Sequence, residues 1–237
     1  MSVLVRRRTS HHRDVQGGAA RAAVFGVSDG LLTNVSLILG VAGANPGPGL
    51  VRLAGLAGLL AGAFSMAAGE YVSMSAQSEL LQHEMNVERR ELREHPRSER
   101  QELVSLYRRR GLGQELAEQV ADAIQRDPEV ALDVHGREEL GIDPGQTGSP
   151  YAAALSSFVS FAVGAFLPLL PWFFSSGRAG VVASVAISAV AALSIGWAVG
   201  AFTGRSRVRS ALRQLGIAVV AAAVTYGIGS AVGVRTG

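Results

Sequence analysis

The stretch GVSDGLLTNVSLILG, residues 26–40, has the composition of the middle of a membrane helix, apart from one carboxylate, Asp29. Residues 22–43 contain no other charged side chain, and about 20 apolar residues of helix are needed to cross a bilayer core of about 30 Å. Four more stretches share this length and apolar character, at 51–74, 152–174, 179–202 and 210–233. We therefore predict an all-α membrane protein with five transmembrane helices.

The arginines predict the orientation of these helices. All 22 basic residues are arginine, and nineteen of them precede or begin the first helix, separate the second from the third, or separate the fourth from the fifth. Because basic residues are enriched in cytoplasmic loops, we expect the N-terminus in the cytoplasm and the C-terminus outside. The predicted organisation is a cytoplasmic tail (1–20), helices one and two (21–75), an inserted cytoplasmic domain (76–149) and helices three to five (150–237).

Several functions are disfavoured by what the sequence lacks. There is no cysteine, hence no disulfide and no thiolate metal site. The basic N-terminus continues into the polar TSHHRDVQGG instead of an apolar segment, so we do not expect a secretory signal. All five histidines lie outside the predicted membrane helices, and Asp29 has no second membrane aspartate. An intramembrane hydrolase, and enzymatic activity in general, are therefore not expected.

Residues 76–149 have the pattern of a small helical domain that begins with an extension of the second membrane helix. Ser98 and Gln101 have the spacing of a capping box at the start of one helix. Asp127 followed by Pro128 is typical of the start of another helix, with aspartate as the N-cap and proline at the first helical position.

Sixteen acidic residues lie between positions 79 and 143. Two pairs of glutamates are three residues apart, which places each pair on one helix face, where the carboxylates repel each other unless a cation lies between them. A histidine four residues before a further glutamate adds an imidazole, and such a ligand set suits Fe(II), Mn(II) or Zn(II) better than Cu(I). Ten arginines in the same segment leave an alternative, a solvated helix face with ion pairs. The candidate metal ligands are Glu88, Glu91, Glu99, Glu102, His135 and Glu139.

Asp29 predicts a second site, inside the membrane, because intramembrane acids usually mark a transport or proton path. Glu70 lies near the cytoplasmic exit of the second helix, and Met66 lies one turn deeper on the same face. These three side chains form a line of candidate ligands that leads from the acidic domain into the bilayer. The alternatives are that Met66 fills the core and that Asp29 caps a neighbouring backbone.

Four motifs resemble the vacuolar iron transporter family: SDGLLTNVSLILGVAGA, LAGAFSMAAGEYVSM, REELG and ALSSFVSFAVGAFLPLLP. The resemblance extends over about residues 20–235. It implies five transmembrane helices, a cytoplasmic metal-binding domain between helices two and three, and a dimer. It also implies export of Fe(II), and often Mn(II), from the cytosol in exchange for protons.

The resemblance assigns the family's membrane ligands to Asp29 and Met66. One departure concerns His135 and Gly136, which stand where the family has a pair of methionines, so that one soft ligand becomes imidazole and the other is lost. This change favours Zn(II) more than the family pattern does. The family's glutamate ligands in the metal-binding domain fall on Glu88, Glu91, Glu99, Glu102 and Glu139.

We therefore expect a metal exporter in a bacterial plasma membrane, the bacterial source being suggested by the all-arginine basic set. The expected partners are the lipid bilayer, a second copy of the chain, divalent metal ions and protons, with no nucleic acid. No resident cofactor is expected, although Fe(II) or Zn(II) bound by the cytoplasmic domain is compatible with its ligands. The alternative is a membrane-anchored iron sensor or store, in which the cytoplasmic glutamates matter and Asp29 does not.

Overall fold

The structure, a computed structural model, describes residues 18–138, 141 and 148–233. All regular secondary structure in these residues is helical, which confirms the predicted all-α fold. A short 3-10 turn, Leu170–Phe173, follows the sixth helix. The helices are α1 (Gly18–Gly43), α2 (Pro48–Glu94), α3 (Pro96–Arg109), α4 (Gln114–Gln125), α5 (Pro128–Glu138), α6 (Pro150–Leu169), α7 (Gly177–Thr203) and α8 (Arg207–Gly233).

Five of these helices, α1, α2, α6, α7 and α8, are long and apolar enough to cross a bilayer. The prediction of five membrane helices is therefore confirmed. In lipid, every backbone N–H and C=O must find its partner within the protein, and an apolar segment achieves this by forming a continuous helix.

The chain divides into two compact units. The membrane unit comprises the described residues up to Ala68 and from Ala152 onward, and the inserted unit comprises Gly69–Tyr151. Helix α2 contributes its first part to the membrane unit and its second part to the inserted unit, which also contains α3, α4 and α5.

Glycines let α1 contact its neighbours at the level of the backbone. A Cβ added to Gly30 would lie 2.1 Å from the carbonyl oxygen of Phe161 in α6. Closer to the C-terminal end of α1, a Cβ added to Gly229 of α8 would lie 1.7 Å from the carbonyl oxygen of Gly40. Small residues permit this close approach in membranes, where van der Waals packing between helices replaces the hydrophobic effect.

Side-chain hydrogen bonds stabilise the end of α6, where Pro168 lies inside the helix. The hydroxyl of Ser184 in α7 donates to the carbonyl oxygen of Pro168 at 2.6 Å, and Trp172 Nε1 donates to the same hydroxyl at 2.9 Å. All three residues are buried. Because the last carbonyl groups of a helix lack intrahelical donors, the Ser184 hydroxyl supplies a donor for one of them, and Trp172 holds that hydroxyl in place.

The inserted unit has a small apolar core in which α3 and α4 pack together. Its buried members are Leu103 and Val104 from α3 and Ala117 and Ala121 from α4. The small alanine side chains let the two helices approach closely. The charged side chains of α3 and α4 therefore surround a small, tightly packed apolar core.

The helix starts in this unit match one prediction and contradict another. Asp127 caps α5, because its Oδ1 accepts a hydrogen bond from the N–H of Glu129 at 3.0 Å, and this prediction is confirmed. The predicted start at Ser98 is wrong, since α3 begins at Pro96 with His95 as its N-cap and no side-chain capping bond. Proline at the first helical position has a preset φ and needs no N–H partner, so the helix starts there without the capping box.

Replacing Gly30 by alanine is expected to destabilise the membrane unit, because the new methyl group meets backbone atoms of α6. Overpacking of this kind costs about 1–3 kcal/mol, which lowers the midpoint of thermal unfolding measured in detergent micelles. Gly216→Ala in α8 is the matched control, since nothing lies within 4 Å of its Cβ position and alanine favours a helix over glycine. Equal midpoints for the two variants would contradict the backbone contact.

Candidate metal sites

Three ligand-bearing side chains converge in the inserted unit. Glu88 from α2, Glu99 from α3 and His135 from α5 each offer one ligand atom, and these atoms all lie within 4.8 Å of one another. The Nδ1 atom of His135 is 3.1 Å from a carboxylate oxygen of Glu88 and 3.6 Å from one of Glu99. His135 is fully buried, and the two glutamates are almost so. We call these three residues the EEH cluster.

The local sequence explains how the EEH cluster forms. A single residue, His95, separates α2 from α3, so the chain changes direction between Glu88 and Glu99. Glu99 lies in the first turn of α3, where the positive end of the helix dipole stabilises a carboxylate. Gly136, the next residue after His135, is buried as well.

Two carboxylates and one imidazole in a buried position form a ligand set for a borderline divalent cation. Removing two carboxylates from water costs several kcal/mol per charge unless cations compensate them. A divalent metal ion supplies two positive charges and accepts oxygen and nitrogen ligands together, as Fe(II), Mn(II) and Zn(II) do. The EEH cluster therefore has the chemistry of a candidate metal site.

The other candidate ligands of this unit lie outside the EEH cluster. Glu91 accepts a hydrogen bond from Nδ1 of His95 at 2.9 Å, on the half-exposed surface of α2. Glu102 is exposed and lines a separate polar cleft of about 710 Å³ together with Glu138. Glu139 lies outside the described residues.

Part of the acidic surface is ion-paired with arginine, as the alternative interpretation predicted. Arg100 donates two hydrogen bonds to Asp122, at 2.5 and 3.1 Å, and this contact lowers the pKa of the Asp122 carboxyl and raises that of the guanidinium. Arg110 forms a second two-bond pair with Glu138, which raises the pKa of Arg110. Both pairs are exposed, so water screens them and each contributes little to stability.

In the membrane unit, Asp29 lies on the exposed side of α1. Phe25 and Thr33, one turn before and after it, are exposed as well, so the three side chains form a stripe along the helix. The hydroxyl of Thr33 donates to Asp29 Oδ1 across 3.4 Å. Since the glycine face of α1 is packed against α6, the carboxylate is directed away from the core of the single chain.

The two candidate ligands of α2, one methionine and one glutamate, have different surroundings. Met66 is half-buried and packs against a cluster formed by Ala63, Phe161 and Ala165. Glu70 is also half-buried and belongs to the inserted unit.

Sequence reasoning missed two polar contacts around Asp29. Gln214 of α8 donates a hydrogen bond to Ser28, the residue before Asp29. Asn34 is fully buried and donates from Nδ2 to the carbonyl oxygen of Ala165 in α6 at 2.6 Å. An amide side chain inside an apolar helix is the signal that predicts such contacts, because hydrocarbon offers it no partner.

The apolar helices define an integral membrane protein, and the EEH cluster gives it a candidate cation site. The chain belongs to the VIT family, whose model matches residues 20–230, so the resemblance is confirmed. It is 34% identical over 232 residues to vacuolar iron transporter 1 of Oryza sativa subsp. japonica, covering 95% of this chain and 92% of that protein. The corresponding protein of Arabidopsis thaliana is 31% identical over 220 residues, covering 91% and 88%. The vacuolar iron transporter of Acanthamoeba castellanii is 35% identical over 221 residues, covering 92% and 81%.

Zn(II), used as a probe ion, is expected to raise the thermal midpoint of the purified protein, because an ion that binds only the folded state stabilises it. His135→Ala removes one ligand and is expected to weaken Zn(II) binding at least about tenfold, measured by isothermal titration calorimetry. Glu129→Gln, at a side chain that is 81% exposed, is the matched control. If the two variants bind Zn(II) equally well, the EEH cluster does not hold the ion.

Proposed function

We propose that this protein exports Fe(II), and also Mn(II), from the cytosol. The observation that carries the proposal is Asp29, the only acidic side chain in the described part of the membrane unit, which lies exposed on α1. A charged side chain near the centre of a bilayer costs at least about 2.5 kcal/mol, and a cation that passes beside it offsets that cost. The relatives named vacuolar iron transporters support iron as the cargo.

A second copy of the chain completes the membrane site in this proposal. One Asp29 offers too few ligands for a transition metal, and a twofold axis beside α1 doubles the carboxylates. The exposed stripe of Phe25, Asp29 and Thr33 would then face its own copy across the axis instead of lipid. Met66 of each copy adds a soft thioether ligand, which a transition metal accepts more readily than Mg(II) or Ca(II) do.

In the proposed cycle the inserted unit is cytoplasmic and collects the metal before transport. The EEH cluster binds Fe(II) from the cytosol, and Glu91 and Glu102 supply further carboxylates on the surface of the same unit. Glu139, outside the described residues, stays a candidate for the same role. Glu70 and then Met66 lead the ion to Asp29. Because one ligand of the EEH cluster is the imidazole of His135, this capture site also accepts Zn(II).

Proton exchange at Asp29 gives the transport its driving force. The carboxyl must lose its proton to bind the cation and regains one as the cation leaves on the far side. Each metal ion that leaves is thus coupled to protons that enter, which is proton antiport. In a bacterial plasma membrane the inward proton gradient would drive metal efflux.

The buried EEH cluster also favours a second function, an iron sensor or store without transport. In that case the cluster alone carries the activity, and the charge of Asp29 has no role in moving ions. Transport assays on variants of the two sites separate the functions.

Asp29→Asn is expected to abolish uptake of Fe(II) or Mn(II) into proteoliposomes with a pH gradient, because it removes both the negative charge and the exchangeable proton. Asparagine keeps the shape of the side chain and costs less to bury than a carboxylate, so we expect the variant to insert into the membrane as the wild type does. Met66→Leu should weaken transport several-fold, since it removes only a neutral ligand. Glu99→Gln should reduce uptake mainly at low metal concentration.

The control for the membrane site is Thr33→Val, which keeps the carboxylate and removes only the hydroxyl that donates to it. Wild-type rates are expected for this variant. Transport by Asp29→Asn at the wild-type rate would place the ion path elsewhere and favour the sensor or store.

Thr33→Cys is expected to form a disulfide between two copies of the chain on mild oxidation, because the proposed axis passes beside this position. The wild-type chain has no cysteine, so every crosslink reports on the introduced residue alone. Val190→Cys in α7, at a side chain that is 65% exposed, is the matched control and should stay monomeric on denaturing gels. A crosslink at residue 190 but not at residue 33 would contradict a dimer axis beside α1.

A further inference from the structure

Four arginines surround the short connection between α7 and α8. Helix α7 ends at Thr203, and Gly204 follows with a φ of 69°, so that α8 begins after a turn of three residues. We call Arg205, Arg207, Arg209 and Arg213 the arginine turn. All four are exposed, and they lie at one end of two helices that are long enough to cross a bilayer.

The arginine turn has no carboxylate to neutralise it in the described part of the membrane unit. The sequence contains no aspartate or glutamate after Asp143, and Asp29 is the only acid among the described residues of the unit. None of the four guanidinium groups forms an ion pair within the described chain. Arg207 lies over the ring of Trp197, with 4.9 Å between the guanidinium carbon and the ring centroid.

Apolar side chains alternate with these arginines. Val208 and Leu212 are 67% and 59% exposed within α8, and Phe202 at the end of α7 is 50% exposed. Trp197 is also half-exposed, and tryptophan favours the boundary between hydrocarbon and headgroups. The surface thus offers positive charge beside apolar area, which is the chemistry that a phospholipid headgroup and the first part of its acyl chains would meet.

We propose that the arginine turn binds an anionic phospholipid through its headgroup phosphate. Guanidinium groups bind phosphate oxygens with two parallel hydrogen bonds, which distinguishes arginine from a simple point charge. Clusters of basic residues directly beside a membrane helix attract anionic lipids, with about 1 kcal/mol from each basic side chain near the surface. This corresponds to about a fivefold change in affinity for each arginine. The charge balance favours this ligand, because a zwitterionic headgroup leaves the four positive charges uncompensated.

Trp197 provides the measurement, because it contacts one member of the arginine turn. The full-length protein is reconstituted in phosphatidylcholine nanodiscs that contain a small fraction of brominated phosphatidylglycerol or brominated phosphatidylcholine. Bromine quenches tryptophan fluorescence at contact, and a Trp197→Phe sample supplies the signal of Trp172, the other tryptophan in the chain. We expect brominated phosphatidylglycerol to bind beside Trp197 at least about fivefold more strongly than brominated phosphatidylcholine.

The double variant Arg205→Gln, Arg209→Gln is expected to lower this preference by about fivefold for each arginine removed, while Arg207 and Trp197 remain in place. The matched control is Arg178→Gln, which removes an arginine from the other end of α7 and should leave the preference unchanged. Native mass spectrometry of the wild type in detergent supplies an independent measurement, in which phosphatidylglycerol should stay bound and phosphatidylcholine should not.

Three results would overturn the proposal. The first is equal quenching by the two brominated lipids in the wild type. The second is a loss of preference in Arg178→Gln as large as in the double variant, which would indicate a general effect of net charge. The third is retention of inorganic phosphate by the wild type in native mass spectrometry without retention of phosphatidylglycerol, which would identify a site for free phosphate.

Discussion

Direct contact between helix backbones is the constraint on which the membrane unit depends. At Gly30 and at Gly40 with Gly229, α1 approaches α6 and α8 so closely that no Cβ fits between them. Without a hydrophobic driving force between helices in lipid, such contacts supply much of the packing energy. They also fix the rotation of α1 about its own axis, and this rotation places Asp29 on the exposed side of the helix within the membrane unit.

In the inserted unit the main constraint is a different one, the degree to which each of its many charged side chains is buried. Its glutamates are similar in sequence, yet Glu88 and Glu99 are buried with His135, whereas Glu138 pairs with Arg110 at the surface. The ion-paired interpretation of the acidic segment thus describes its exposed Arg–carboxylate pairs, whereas the buried EEH cluster is the part that stays a candidate metal site. Burial distinguishes the two groups, because carboxylates removed from water need a compensating cation more than exposed ones do.

The sequence was sufficient to predict features that depend on length, composition and local capping. The five membrane helices and the Asp127 cap are of this kind. Helical spacing paired Glu88 with Glu91, which are neighbours on one helix, but the structure brings Glu88 to Glu99 and His135 from two other helices. Contacts across helices depend on where the chain turns and on how the helices then pack. Pro96 marks the turn after His95, but this local signal does not determine which side chains meet across the helices.

The packing of α1 also limits how this helix can vary during evolution. The glycines of α1 whose added Cβ would meet backbone atoms of α6 or α8, Gly30 and Gly43, must stay small, because a side chain there would separate the backbones. The stripe that contains Asp29 is exposed, so space does not limit its side chains in the single chain. The two sides of α1 therefore differ in what limits them. The glycine face is limited by space, whereas exposed positions, such as Val182 and Val190 in α7, are not.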